Sequence, residues 1–144
     1  MRFLPRRSPT RPTPDPSGDP RPILVVDDDP AIRHALVRIL EHSGHRVLAA
    51  EDGAAALALS REHAPGLVVL DFMMPGMDGG AVLAALRAEL DDEAPPTLLL
   101  TASDVDRDRA AELGAVEGLE KPFRVPELLA AVDRYRRRAA DEGS

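Results

Sequence analysis

Three stretches, "ILVV" at 23–26, "LVVL" at 67–70 and "TLLLT" at 97–101, are short apolar runs without polar alternation. A strand with one face in water alternates; a run that does not is buried on both faces, as in a parallel sheet covered by helices on either side. Helical spacing follows the first run, with Ile32, Leu36, Ile39 and Leu40 on one face, Asp29 as N-cap, Pro30 at the first helical position and Gly44 as the stop. The cycle then repeats. Residues 46–50 ("RVLAA") read as a weak strand and 53–63 as an alanine-rich helix. Residues 79–90 read as a helix with Val82, Leu83, Leu86 and Leu90 on one side, and 104–113 as a helix with a thin apolar stripe. Residues 116–120 read as a short strand, and 125–138 as a helix turning Leu128, Leu129, Val132 and Tyr135 inward.

Five strand-helix units predict an α/β fold: a doubly wound, five-stranded parallel sheet flanked by five helices, with right-handed crossovers. The length of 144 residues suits one folded unit with tails. Residues 1–21 are a Pro/Arg-rich tail predicted to be disordered, 22–138 the folded domain, and 139–144 a disordered C-terminal tail. With aromatics at only 3%, the core must be aliphatic and alanine-rich. The absence of cysteine excludes disulfides, thiolate metal sites and thiol catalysis. No apolar run approaches the roughly 18–20 residues of a membrane span, and no signal-peptide core is present, so a cytoplasmic protein is expected. Residues 1–22 hold five arginines against two aspartates, a net +3, so the remainder carries −10 of the total −7. Such an acidic domain disfavours direct nucleic-acid binding; the basic tail suits a solvated leader better than a nucleic-acid arm.

In a doubly wound sheet, ligands bind at the carboxyl ends of the strands. Those ends carry Asp27, Asp28 and Asp29 on strand one, Asp71 on strand three, Thr101 on strand four and Lys121 on strand five. Lys121 is the only lysine among eighteen basic residues, and a compact ammonium suits a small, multiply charged anion better than a guanidinium fork does. Clustered carboxylates repel unless a cation joins them, and magnesium takes oxygen ligands, one or two of them carboxylates, with water and phosphate oxygens filling the rest. The four histidines (His34, His42, His45, His63) form no chelating pattern with the acids and read as helix surface and loop. Asp71 is the candidate nucleophile, forming an acyl phosphate, with metal, Lys121 and Thr101 each meeting a phosphoryl oxygen. Singly, each residue has a plainer reading: Asp29 before Pro30 is an N-cap, Thr101 a strand residue, Lys121 a turn charge. Their joint placement at four strand ends favours the chemical one.

"ILVVDDDP", "LVVLDFMMPGMDG", "LLLTAS" and "LEKPF", in this order, resemble the receiver domain of two-component response regulators over residues 22–138. The resemblance implies a flavodoxin-like receiver fold with Asp71 as phosphoacceptor. It implies that Asp27, Asp28, Asp71 and the Met73 backbone carbonyl hold Mg2+. Thr101 and Lys121 match the switch hydroxyl and the family's lysine, with a cis Lys121-Pro122 peptide. Pro75 and Gly79 match the following loop and helix start. The implied partners are a sensor histidine kinase or phosphotransfer protein and a downstream target protein, with a homodimer through helices 104–113 and 125–138 as a further option. Three residues before the lysine the family usually has an aromatic ring; here it is Gly118, so output is expected through backbone shifts of the 101–105 loop and helix 104–113. Met73 and Ser103 offer no group to orient attacking water, which predicts slow autodephosphorylation. A stand-alone receiver or a fragment of a longer chain would both fit. The competing functions are a Mg2+-dependent, aspartyl-phosphate-forming hydrolase, disfavoured by Met73 where such enzymes want a second acid, and an unphosphorylated binding scaffold, disfavoured by the intact acids and lysine. A nucleotide-binding fold lacks its glycine-rich cradle.

Overall fold

The computed structural model describes residues 20–72, 74, 79–90, 94–102 and 104–143, the side chains of 104–107 and 137–143 apart. The tail up to residue 19 and the positions Met73, Pro75 and Ser103 lie outside the described residues. The elements alternate strictly: β1 (Ile23–Val26), α1 (Pro30–His42), β2 (Val47–Ala50), α2 (Gly53–His63), β3 (Leu67–Asp71), α3 (Gly79–Leu90), β4 (Thr97–Thr101), α4 (Asp104–Glu112), β5 (Glu117–Glu120) and α5 (Val125–Gly143). All strand pairings are parallel, in the order β2-β1-β3-β4-β5. The predicted doubly wound, five-stranded sheet with five helices is therefore the observed fold.

The unbroken apolar runs find their reason in two cores, one on each face. Successive strand side chains point to opposite faces. Leu24, Val26, Val68, Leu70 and Leu99 enter a core with Ala56, Val82, Leu83, Leu86 and Ala110. Ile23, Val25, Val69, Leu98 and Leu100 enter the other with Leu36, Leu40, Leu128 and Val132. Each such side chain taken fully out of water contributes about 1.5–3 kcal/mol. Leu67–Leu70 are fully buried, which no half-exposed strand would tolerate or need.

Chain order reverses between β1 and β3: the chain leaves β1 for β2 on one side, then returns to place β3 on the other. The crevice between the carboxyl ends of β1 and β3 is thus the topological switch point, where such sheets receive ligands. Its floor depends on one glycine. The Gly79 N–H donates to the Phe72 carbonyl at 2.6 Å, and a Cβ there would stand 2.6 Å from the Phe72 Cα and 2.8 Å from the Asp71 carbonyl oxygen. Helix α3 can start against the end of β3 only without a side chain at that position.

Several expectations differ from the structure. Helix α5 runs to Gly143, so residues 139–143, expected in a disordered tail, are helical; arginine, alanine and glutamate favour helix, and no Pro or Gly interrupts before 143. Ile32, assigned to the inner face of α1, is 37% exposed, whereas Leu36 and Leu40 of the same face are buried. His34, His42 and His63 are exposed on helices and His45 stands in the loop before β2, as read, though packing buries it there. Gly44 ends α1 as expected, in the left-handed region at φ 97°, with its N–H donating to the Glu41 carbonyl. Among the described residues, no helix is long and apolar enough to cross a membrane.

Candidate functional site

Asp27 directly follows β1, and its side chain is fully buried. Its N–H donates to the Ala50 carbonyl at 3.2 Å, and its Oδ1 accepts from the Asp29 N–H at 2.9 Å. Its own carbonyl accepts from Arg33 Nη1 at 2.8 Å. Its second oxygen, Oδ2, is buried and has no hydrogen-bond partner among the described residues. Asp28 is exposed, and Asp71, the last residue of β3, is buried. One carboxylate oxygen from each of Asp27, Asp28 and Asp71 lies within 4.8 Å of the others. Lys121 Nζ donates to Asp71 Oδ1 at 3.1 Å and is about a third exposed, the acid being nearly enclosed. Thr101 ends β4, with a buried hydroxyl that has no hydrogen-bond partner among the described residues. The Lys121 N–H donates to the Thr101 carbonyl at 2.7 Å, so the two residues share one peptide contact, just before the cis Lys121-Pro122 bond.

Burial pushes the Asp27 carboxyl above the ordinary carboxylate range, and the negative Asp71 and Asp28 push it further; the Asp29 N–H and the Lys121 ammonium oppose them. The pocket is short of positive charge. A hard divalent ion fits this donor set: three carboxylates on one small triangle, one of them with a buried oxygen lacking a partner among the described residues. Among the described residues, no other group of histidines and acids could hold a metal.

A consequence follows for the metal-free protein. Asp27→Asn keeps an oxygen for the Asp29 N–H and removes a poorly compensated buried charge, so it is expected to raise stability at neutral pH by roughly 1–3 kcal/mol. Because the folded-state pKa of Asp27 is raised, the wild type is destabilised above that value and recovers as the pH falls through it towards the ordinary 3.8. The advantage of the variant should therefore shrink on acidification. Melting curves of both proteins in chelator, from about pH 7.5 to about 4.5, check this; an advantage independent of pH contradicts it.

The structure thus brings Asp27, Asp28, Asp71, Thr101 and Lys121 to one rim. Asp29 does not join them: its Oδ1 accepts from the Ala31 and Ile32 N–H groups at 2.9 and 3.4 Å, the N-cap role expected of it. Met73 lies outside the described residues. Sequence reasoning missed Arg33. The available signal was its place four residues after the N-cap, one turn into the helix, from which a long side chain reaches back over the acidic loop.

The chain matches the family described as Response regulator receiver domain over residues 23–133. It is 48% identical over 124 residues to Response regulator MprA of Mycobacterium sp. (strain KMS), covering 84% of this chain and 53% of that one. To Response regulator MprA of Mycolicibacterium vanbaalenii it is 46% identical over 125 residues, covering 85% and 53%. The chain spans about half the length of the curated relatives it matches. Among solved structures, it is similar to the Francisella response regulator 1452 receiver domain, with a TM-score of 0.75 and 31% identity over 83% of this chain and 98% of that one. It is also similar to the Vibrio cholerae chemotaxis protein CheY4, with a TM-score of 0.74 and 30% identity over 81% and 99%.

Proposed function

The chain belongs to the response regulator receiver domain family, and on that premise we propose that Asp71 accepts a phosphoryl group from a phosphohistidine of a sensor histidine kinase or phosphotransfer protein. The observation that carries this reading is the buried Asp71 carboxylate, held 3.1 Å from the chain's only lysine inside a triangle of acids. The Asp71 carboxylate attacks phosphorus; the phosphorus–nitrogen bond breaks, the imidazole leaves with its electron pair and takes up a proton, and an aspartyl phosphate remains. Asp27, Asp28, Asp71 and the Met73 carbonyl would hold magnesium, which when bound would supply positive charge to the phosphoryl oxygens. Lys121 exchanges its contact with Asp71 Oδ1 for a second phosphoryl oxygen. The Thr101 hydroxyl, buried with no acceptor among the described residues, donates to the third.

Gly118 is buried on β5, in register with Leu99, and offers no ring to follow the threonine. Output then passes through backbone shifts of the 101–105 loop and α4, changing the α4 and α5 surfaces for a target protein or a second copy of the chain. The acidic domain does not itself bind nucleic acid, and it works in the cytoplasm.

Incubation with acetyl phosphate and magnesium should add the mass of one phosphoryl group to the intact chain, and chelation should prevent it. No gain with magnesium present would sink the reading. In the same sample, amide NMR should show the 101–105 and α4 resonances moving. Loss of label should be slow, and Met73→Asn or Ser103→Glu, each supplying a group to orient water, should hasten it about tenfold. A wild type that loses label faster than the variants contradicts the assignment.

A further inference from the structure

We propose that Arg33 is the positioning residue of the metal-holding loop, fixing Asp27 and Asp28 for a divalent cation through its contact with the Asp27 carbonyl. The proposal rests on the reading of Asp27, Asp28 and Asp71 as metal ligands.

Sheet pairing of β1 ends at Val26, opposite Ala50 on one side and Leu70 on the other. The Asp27 carbonyl therefore leaves the sheet without a strand partner, and Arg33 Nη1 takes that place at 2.8 Å. A hydrogen bond from a charged donor is about twice as strong as a neutral one. The other end of the acidic loop is held by the helix's own first main-chain bond, from the Arg33 N–H to the Asp29 carbonyl at 2.9 Å, which any residue but proline would make there. Between these anchors, Asp27 Oδ1 receives the Asp29 N–H, and Asp29 caps α1. The Arg33 side chain thus ties the start of the Asp27–Asp29 loop to the first turn of the helix, whose main-chain bond holds the loop's other end.

What Arg33 leaves alone is equally telling. A guanidinium fork beside several aspartates ordinarily pairs with one of them. Among the described residues, Arg33 forms no ion pair; its one side-chain hydrogen bond goes to a main-chain carbonyl. Arg33 thus holds the loop that carries two of the triangle's acids without pairing with their carboxylates. This is the part played by the outer partners of metal ligands, whose removal typically lowers affinity 10- to 100-fold.

The test is calorimetric titration of magnesium chloride into the full chain, without any phosphodonor. Arg33→Met keeps the stem and loses the donor; its magnesium affinity should fall at least about tenfold, while Arg33→Lys, retaining a donor, should recover most of it. Exchange of the metal-free Asp29 amide hydrogen, protected by Asp27 Oδ1, should quicken in the Met variant and not in the Lys variant. If the Met variant does not fold, Arg33→Gln, too short to reach, should show the same loss. Wild-type binding with unchanged affinity in the Met or Gln variant overturns the proposal alone, as does a Lys variant no better than Met. Absence of any saturable magnesium binding by the wild type removes the metal reading and the proposal together.

Discussion

Asp71→Asn takes up no phosphoryl group from acetyl phosphate and magnesium under conditions that label the wild type fully. The carboxamide matches the carboxylate in shape, so β3, its pairing with β4 and the packing beneath the rim have no cause to change. What it lacks is the anionic electron pair that attacks phosphorus. It also turns the 3.1 Å contact of Lys121 from an ion pair into a neutral hydrogen bond at best. The triangle loses one of its acids, so metal binding should weaken as well. Together these put the expected rate at least about a thousandfold below wild type, beyond the loss of a single stabilising donor. Stability should stay within about 1 kcal/mol, since relief of repulsion from Asp27 and Asp28 opposes the lost pairing with Lys121. Intact mass beside a melting curve separates lost chemistry from lost fold. Labelling of the variant, at Asp28 or elsewhere, would show that the nucleophile is another residue.

Gly79→Ala should lower stability by about 2 kcal/mol, several degrees in melting temperature. The added methyl would meet main-chain atoms, the Phe72 Cα at 2.6 Å and the Asp71 carbonyl at 2.8 Å, rather than a side chain able to swing aside. Alanine gains helix propensity over glycine, by up to about 1 kcal/mol in a helix interior, but position 79 is the first residue of α3, where the gain is smallest. Relief requires α3 and the end of β3 to separate, and Asp71 moves with that strand end. The phosphorylation rate should therefore fall about tenfold or more at temperatures where the variant remains folded. Urea unfolding and the labelling rate of the folded protein check both parts; a wild-type midpoint contradicts the close-packing argument.

Much of this was legible in the sequence, for identifiable reasons. Strands β1, β3 and β4 announce themselves because both of their faces are buried. β5, "EGLE", has almost no apolar signal and was found only by its place in the strand-helix cycle; its outer residue Glu117 is held from α5 by Arg134 and the Tyr135 hydroxyl. Strand order leaves no trace in local periodicity, since it depends on which faces the crossovers cover. The strand-end acids, threonine and lysine were visible because ligand sites in such sheets follow topology. Arg33 was less so: its contact is with a main-chain carbonyl, which has no residue type to read, leaving only its place one turn into the helix as a cue. The reach of α5 past residue 138 follows from helix propensity, which the charged C-terminal stretch obscures, and the burial of His45 from tertiary packing, which composition does not record.

The ion pair between Lys121 and Asp71 has a practical side. No other side chain in the polypeptide carries a primary amine, so reductive methylation with isotopic formaldehyde would install a single side-chain reporter, and install it in the reaction centre. Its resonance would register ion binding, phosphorylation and release without a fluorophore or an engineered tag. By the same token, acetylation by a cellular acyltransferase would have one side-chain target, and that event would silence the protein outright.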